Sequence, residues 1–261
     1  MLVAKKIYIE YLHETQDYDL LKKVYYEILI PCFPDPEDHL TWQKVKNMMK
    51  QNFNNPKSND KILICISKEK DDEGNLTPVS FIVSVYYKKS QTLLISYMGM
   101  RNGYNGMSLF AIQKLLLKEV EREAGKSSDN LKAVFSLVDL PEFTHEKYNT
   151  VSPINRIKIM ERHGGHHIPI TFYYPIFDFS FLNFFNPKVA YRSDAGLLGY
   201  KLYEEPLITN HPDIIKDFID DFYLSYMLNP KTNKKVIEMK KELDTMPLGL
   251  NIKLSSKYKK T

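Results

Sequence analysis

Only two cysteines, Cys32 and Cys65, occur in the 261-residue chain. So few thiols exclude a disulfide-stapled framework, and a chain of this length buries enough apolar surface to do without one. Both have apolar neighbours (Pro31 and Phe33, Ile64 and Ile66), where a free Cys behaves as a small core residue. A reducing compartment is the expected setting. Long apolar runs are missing too, and no stretch approaches the ~20 residues that cross a bilayer. The opening Met1-Leu2-Val3-Ala4-Lys5-Lys6 lacks the positive, apolar, small order of a secretory signal. These absences predict a soluble, cytoplasmic protein with no membrane partner. A strong charge of one sign is also lacking: 36 Lys+Arg face 32 Asp+Glu, and much of the +4 excess sits in Lys253, Lys257, Lys259 and Lys260. A nucleic-acid binder spreads a basic face over its fold, so no nucleic-acid partner is expected, and the tail reads as a solvated terminus. Internal repeats and low-complexity tracts are absent.

What is present is ordinary globular material, 43% hydrophobic and 26% charged, with 14 Phe and 18 Tyr that exclude global disorder. Lys5 to Leu12 alternates as a strand. Asp17 to Ile30 carries Leu20, Leu21, Val24, Tyr25 and Ile28 at helical spacing, and Pro31 stops it. A second helix is predicted over Glu37 to Asn52. Three strands follow, Lys61 to Ser67, Val79 to Tyr87 and Thr92 to Met100, joined by short polar turns. A long helix then runs from Met107 to about Ala124, a strand from Leu131 to Val138, a helix from Ile154 to His163 and a strand from His167 to Tyr174. Beyond Pro175 come an aromatic stretch from Phe177 to Phe185, a strand from Ala195 to Glu205, and an amphipathic helix from Asp213 to Met227 that Lys234 to Leu243 extends. This order predicts an α/β (α+β) architecture around one mixed sheet.

One junction carries chemistry. The strand Leu93-Leu94-Ile95-Ser96-Tyr97-Met98-Gly99-Met100 runs through Arg101-Asn102-Gly103-Tyr104-Asn105-Gly106 into a helix beginning Met107-Ser108. A helix N-terminus offers unpaired N–H groups and partial positive charge, which suit a phosphate or pyrophosphate. Gly103 and Gly106 permit positive φ and close approach of the backbone to a ligand. The junction lacks the Lys-Ser/Thr of a P-loop and the third glycine of a dinucleotide fold. A turn placed there for geometry alone is the alternative.

In its setting of strand, two helices, three-strand meander, loop and long helix, this junction resembles the GNAT superfamily of acyl-CoA-dependent N-acyltransferases. Gly106 matches the central glycine of that family's loop, Ser108 its last small residue, and Gly103 stands where the family has Gln or Arg, with Arg101 nearby. Glu161-Arg162-His163-Gly164 resembles the end of a later family helix, with Met160 where many members carry a tyrosine acid. The resemblance covers about residues 5–175. It implies a GNAT-like core over 1–175, a twisted mixed sheet flanked by helices and splayed between its fourth and fifth strands. Residues 176–261 are then a C-terminal extension packed on the same domain.

The resemblance also implies acetyl-CoA, or another acyl-CoA, as co-substrate. Main-chain groups of Met98 and Met100 would pair with pantetheine. Arg101, Gly103, Tyr104, Asn105, Gly106, Met107 and Ser108 would hold the pyrophosphate, with Asn155 as a further cofactor residue, and Gly99 would mark a bulge. The implied reaction is direct transfer of an acyl group, acetyl first, to the amine of a small molecule or a protein. It needs a base, a donor to the oxyanion and an acid for the thiolate. Asp139 and Glu142, after the fifth strand, are the base candidates; the alternative is two solvated loop carboxylates. Tyr97, Tyr173 and Tyr174 are the acid candidates, and Met98 or Met100 N–H is the expected oxyanion donor. Glu37 could approach the acceptor side, or simply complement its helix dipole. His163, His166 and His167 lack a recognisable ligand set, so no metal is expected. The aromatic stretch could line a pocket or bury itself in a homodimer contact, and Asp217, Asp220 and Asp221 read as a solvated helix face. A CoA-binding module without catalysis is the alternative function.

Overall fold

In the computed structural model, residues 6–34, 41–54, 60–70, 73–104, 118, 122, 131–143, 152–162, 164–178, 188–200 and 208–258 are described. They fall in two compact units, Met1–Leu131 with His145–Ser152, and Lys132–Thr144 with Pro153–Thr261.

In the first unit, alternating residues build β1 (Ile7–Tyr11), and Leu12–Thr15 forms a single helical turn, α1. Asp17 accepts the Leu20 N–H at 2.8 Å and caps α2 (Tyr18–Val24). The single helix expected to Ile30 changes pitch. Tyr25–Leu29 is a π-turn in which the Ile30 N–H reaches the Tyr25 carbonyl, and one α-turn, Ile30–Cys32, ends it. Pro31 is the physical cause: it donates no N–H, and its ring needs room from the carbonyl four residues back. The next helix, α3, spans Trp42–Asn54. Leu12, Leu21, Val24, Ile28 and Leu29 form one core cluster with Met49, Ile64, Ile66 and Phe81.

The sheet of this unit runs β1-β2-β3-β4, antiparallel throughout, with β2 at Asp60–Lys70, β3 at Leu76–Tyr87 and β4 at Thr92–Met100. Between β3 and β4 the ladder slips: Val83 faces Tyr97 but Ser84 faces Ile95, so Ser96 is the extra residue. The bulge expected at Gly99 is therefore three residues earlier. Gly99 stays in register opposite Phe81. What requires a glycine there is crowding: a Cβ would lie 2.8 Å from Phe81 Cε1 and 2.9 Å from Cys32 Sγ.

In the second unit, β9 (Ala195–Tyr200) is flanked antiparallel by β5 (Ala133–Asp139) and β6 (Gly165–His167). A separate hairpin pairs β7 (Tyr174–Asp178) with β8 (Lys188–Arg192). The strand expected from His167 to Tyr174 breaks because Ile168 N–H still bonds Leu197, while Pro169 has no N–H to continue the ladder. Among the described residues, three α-helices complete the unit: α4 (Pro153–Arg162), α5 (Pro212–Ser225) and α6 (Lys234–Thr245). The extension expected from α5 is a new helix, capped by Asn233, whose side chain accepts from the Lys235 and Val236 N–H groups. Phe218 stacks on Phe135 at 4.2 Å, and Phe222, Val236, Met239 and Leu243 are buried. The acidic face of α5 is only partly solvated: Asp220 pairs with Lys240 of α6, and Asp221 is 5% exposed. The basic tail is likewise docked as far as Tyr258, through Leu254 at 1% exposure and a 3-10 turn, Leu254–Tyr258.

The α/β class is the expected one. Apart from Lys118 and Arg122, the helix expected over 107–124 lies outside the described residues, as do Glu37, His163 and most of the 177–185 stretch.

Candidate functional site

The end of β4 is built by its pairing phase. Arg101 N–H donates to the Val79 carbonyl at 2.8 Å, which makes Met100–Ser80 a pair that does not exchange hydrogen bonds. By the two-residue period, Met98–Ile82 is another such pair. The main-chain groups of Met98 and Met100 therefore turn away from β3. The Met100 carbonyl accepts the Cys32 thiol at 3.3 Å. On the face that Tyr97 shares with Gly99, the Tyr97 ring meets Phe33, the neighbour of Cys32, edge-on at 5.4 Å.

Past the strand, Tyr104 N–H closes a turn on the Arg101 carbonyl at 3.3 Å, and Gly103 takes φ +72°, a conformation suited to glycine. The Arg101 guanidinium pairs with Glu27 of the π-turn, and the Tyr104 hydroxyl donates to the buried Glu69. Arg101 and Tyr104 are thus anchored at their side chains while their turn is set by Gly103. Asn105, Gly106, Met107 and Ser108 lie outside the described residues.

In the second unit, Asp139 ends β5. The β5–β9 register sets it opposite Ala195, and the neighbouring Leu140 N–H donates to the Asp194 carbonyl at 2.8 Å. Asp194 is paired with Arg192, and Arg156 Nη1 of α4 donates to Asp139 Oδ2 at 3.0 Å. The Asp139 carboxyl is held above the usual aspartate value, first by desolvation and then by the charge of Asp194, against the opposing pull of Arg156 and Arg192. Such a carboxylate is a stronger base than a solvated one.

Glu142 is different. Desolvation works to raise its pKa, but hydrogen bonds from the Tyr258 hydroxyl and Lys257 outweigh it, and the net shift is downward. It is tied to the C-terminal segment and is the weaker base of the two. Asn155 is exposed on α4, one residue before Arg156, and Met160 is half-buried near the helix end. Tyr173 donates to Glu238 at 2.7 Å under the Lys235 ammonium, 3.9 Å from its ring centre. Tyr174 packs on Phe222 and Tyr226.

Among the described residues no group of three or more His, Cys, Asp or Glu is arranged to hold a metal, and no helix is long and apolar enough to cross a membrane. The His167 imidazole is kept neutral, its pKa lowered to about 4 by burial and then by Lys257, against Glu161. Its unfolded form binds a proton near 6.5, so stability falls as pH drops from that value toward 4, by about 3 kcal/mol in all. Urea midpoints of the wild type should fall across that window. His167→Gln should flatten the slope there, and an unchanged slope would contradict this account.

Sequence reasoning did not single out Arg192 or Asp194, or the side-chain partners Arg156, Glu27 and Glu69. Only the strand register and helix docking bring these to their positions.

No protein-family model and no curated protein matches the chain. Three solved structures are similar to it. An aminoglycoside 6'-acetyltransferase type Ii is 11% identical, with TM-score 0.46, over 76% of this chain and 99% of that one. The aminoglycoside 6'-N-acetyltransferase from Enterococcus faecium is 11% identical, with TM-score 0.42, over 77% and 99%. A GNAT-family acetyltransferase from Bacillus anthracis is 16% identical, with TM-score 0.40, over 78% and 98%.

Proposed function

We propose that this chain is an acyl-CoA-dependent N-acyltransferase that moves an acyl group, acetyl first, to an amine. The observation that carries the reading is the phase of β4. Met98 and Met100 turn their main-chain groups away from β3, and the strand enters a glycine turn of the kind that approaches phosphates. A pantetheine arm is an amide chain that pairs with such groups, and the loop sequence from Gly103 to Ser108 resembles a pyrophosphate loop.

The chemistry then asks little of the protein. The acceptor amine gives up a proton, its lone pair attacks the thioester carbonyl, and the carbon–sulfur bond breaks as the tetrahedral intermediate collapses. Asp139, directly or through a water, takes the proton. The Met98 N–H meets the oxyanion, and Tyr97 is the acid offered to the thiolate. The acceptor is an amine, of a small molecule or of a protein. A CoA-binding module without turnover is the second reading, favoured by Met160 where the resembled helix motif carries a tyrosine.

Calorimetric titration with acetyl-CoA tests the donor site. Wild type should bind, and Gly106→Asp, which sets a carboxylate against the pyrophosphate, should abolish binding. No binding by folded wild type would overturn the reading. Release of CoA with an amine panel separates the enzyme from the silent module.

A further inference from the structure

A concavity lies wholly within the second unit. Its volume is about 300 Å³, and Lys158, Glu161, Arg162, Lys253, Ser255 and Ser256 line it. None of these is among the residues assigned to the donor or the base.

Local geometry makes the concavity positive. Lys158 and Arg162 are four residues apart on α4 and share one face. Lys253 arrives from the C-terminal segment, which is fixed beside them: the His167 N–H donates to the Ile252 carbonyl at 3.0 Å, and the Ser255 N–H donates to Glu161 Oε1 at 2.8 Å. The Ser255 hydroxyl donates to the other Glu161 oxygen. Glu161 is three residues from Lys158 and would be its natural ion partner, yet both its oxygens are turned to Ser255. Among the described residues, Lys158, Arg162 and Lys253 make no ion pair. A cation in the last turn of a helix complements its dipole, which accounts for Arg162. It does not account for Lys253, carried in on a separate segment.

Three cations converging on one carboxylate that is already satisfied repel one another, and a bound anion removes that cost. We propose that this pocket binds a phosphate-class anion: the Lys158, Arg162 and Lys253 side chains would donate to its oxygens. Arg162 supplies the planar fork that suits a phosphate, and the two lysines act as point charges. Because Ser255 and Glu161 fasten the C-terminal segment to α4, the anion would also stabilise that docking.

The probe is inorganic pyrophosphate, with inorganic phosphate as a second arm, titrated calorimetrically into the whole chain. Wild type should bind pyrophosphate with a dissociation constant of about 1 mM or tighter. Lys253→Glu and the double variant Arg162→Ala/Lys158→Ala should each weaken binding at least about tenfold. These cations are exposed and repel one another, so the variants should fold with an unfolding midpoint no lower than that of the wild type. Lys88→Ala/Lys89→Ala removes two exposed charges elsewhere and should leave binding unchanged. Absence of binding at ~10 mM, or equal loss in the Lys88/Lys89 control, would overturn the proposal. Acetyl-CoA is titrated in parallel. Retained acetyl-CoA affinity in Lys253→Glu supports a separate anion site, whereas its loss there would assign the pocket to the donor and overturn separateness. Failure of wild type to bind acetyl-CoA while it still binds pyrophosphate would count against the acyltransferase reading alone.

Discussion

Asp139→Asn is expected to lower kcat by about 10²- to 10⁴-fold, the usual share of a general base, while acetyl-CoA affinity stays within the wild-type range. The argument rests on where the carboxyl sits. It closes β5 at the junction with the Pro141–Phe143 turn, held by Arg156 through one oxygen, and desolvation together with Asp194 lifts its pKa above the ordinary aspartate value. Asparagine keeps the shape and a hydrogen-bonding oxygen toward Arg156 but cannot take a proton. Folding should therefore survive, and removing a partly desolvated charge offsets part of the lost ion pair.

The pH profile gives a readout that a purely structural role would not move. A base must be ionised, so kcat/KM should rise with pH through an acid limb displaced upward from that of a solvated aspartate. Arg156 pulls the Asp139 pKa down; Arg156→Gln should push the limb to still higher pH. Full activity in Asp139→Asn, or an acid limb that stays put in Arg156→Gln, would remove Asp139 from the role. A matching loss in Glu142→Gln would point instead to the neighbouring carboxylate, whose net shift is downward.

How much of this was legible in the sequence follows from how local each cause is. The bounds of β4 are the expected ones, marked by the turns that flank it, and Asp213 to Met227 came close to α5, because flanking turns and helical period are local signals. Pro31 was legible as a stop but not as the maker of a π-turn, since a change of pitch leaves the same residues on nearly the same face. The Ser96 bulge was missed because a slipped ladder is a property of two strands, and Ser96 in β4 looks like any alternating polar residue. Gly99 drew attention for the right reason, a missing side chain, yet the explanation is crowding from Phe81 and Cys32. Asp139 was named from its place after a strand. Its surroundings, from Arg156, Arg192 and Asp194, come from α4, β8 and the turn before β9, which no local pattern places together. In the same way, Arg101 reads as a cation near a phosphate loop, and only the fold reveals Glu27 as its partner.

Gly99→Ala is the second large effect. A methyl group there would lie 2.8 Å from Phe81 Cε1, 2.9 Å from Cys32 Sγ and 3.3 Å from Cys32 Cβ. Phe81 is 1% exposed inside the core cluster, and Cys32 is held by the Met100 carbonyl, so neither yields freely. Overpacking of this kind costs about 1–3 kcal/mol. The damage also reaches function, because relief comes most easily by displacing β4 from the Ile30–Cys32 turn, and β4 carries Met98 and Met100. The urea midpoint should fall and acetyl-CoA affinity should drop with it. Cys32→Ala removes one of the two clashing groups. The double variant Gly99→Ala/Cys32→Ala should therefore recover part of both losses, a coupling that independent sites do not show. If the two substitutions add without coupling, or if Gly99→Ala unfolds at the wild-type urea concentration, packing against Cys32 does not set the position of this strand.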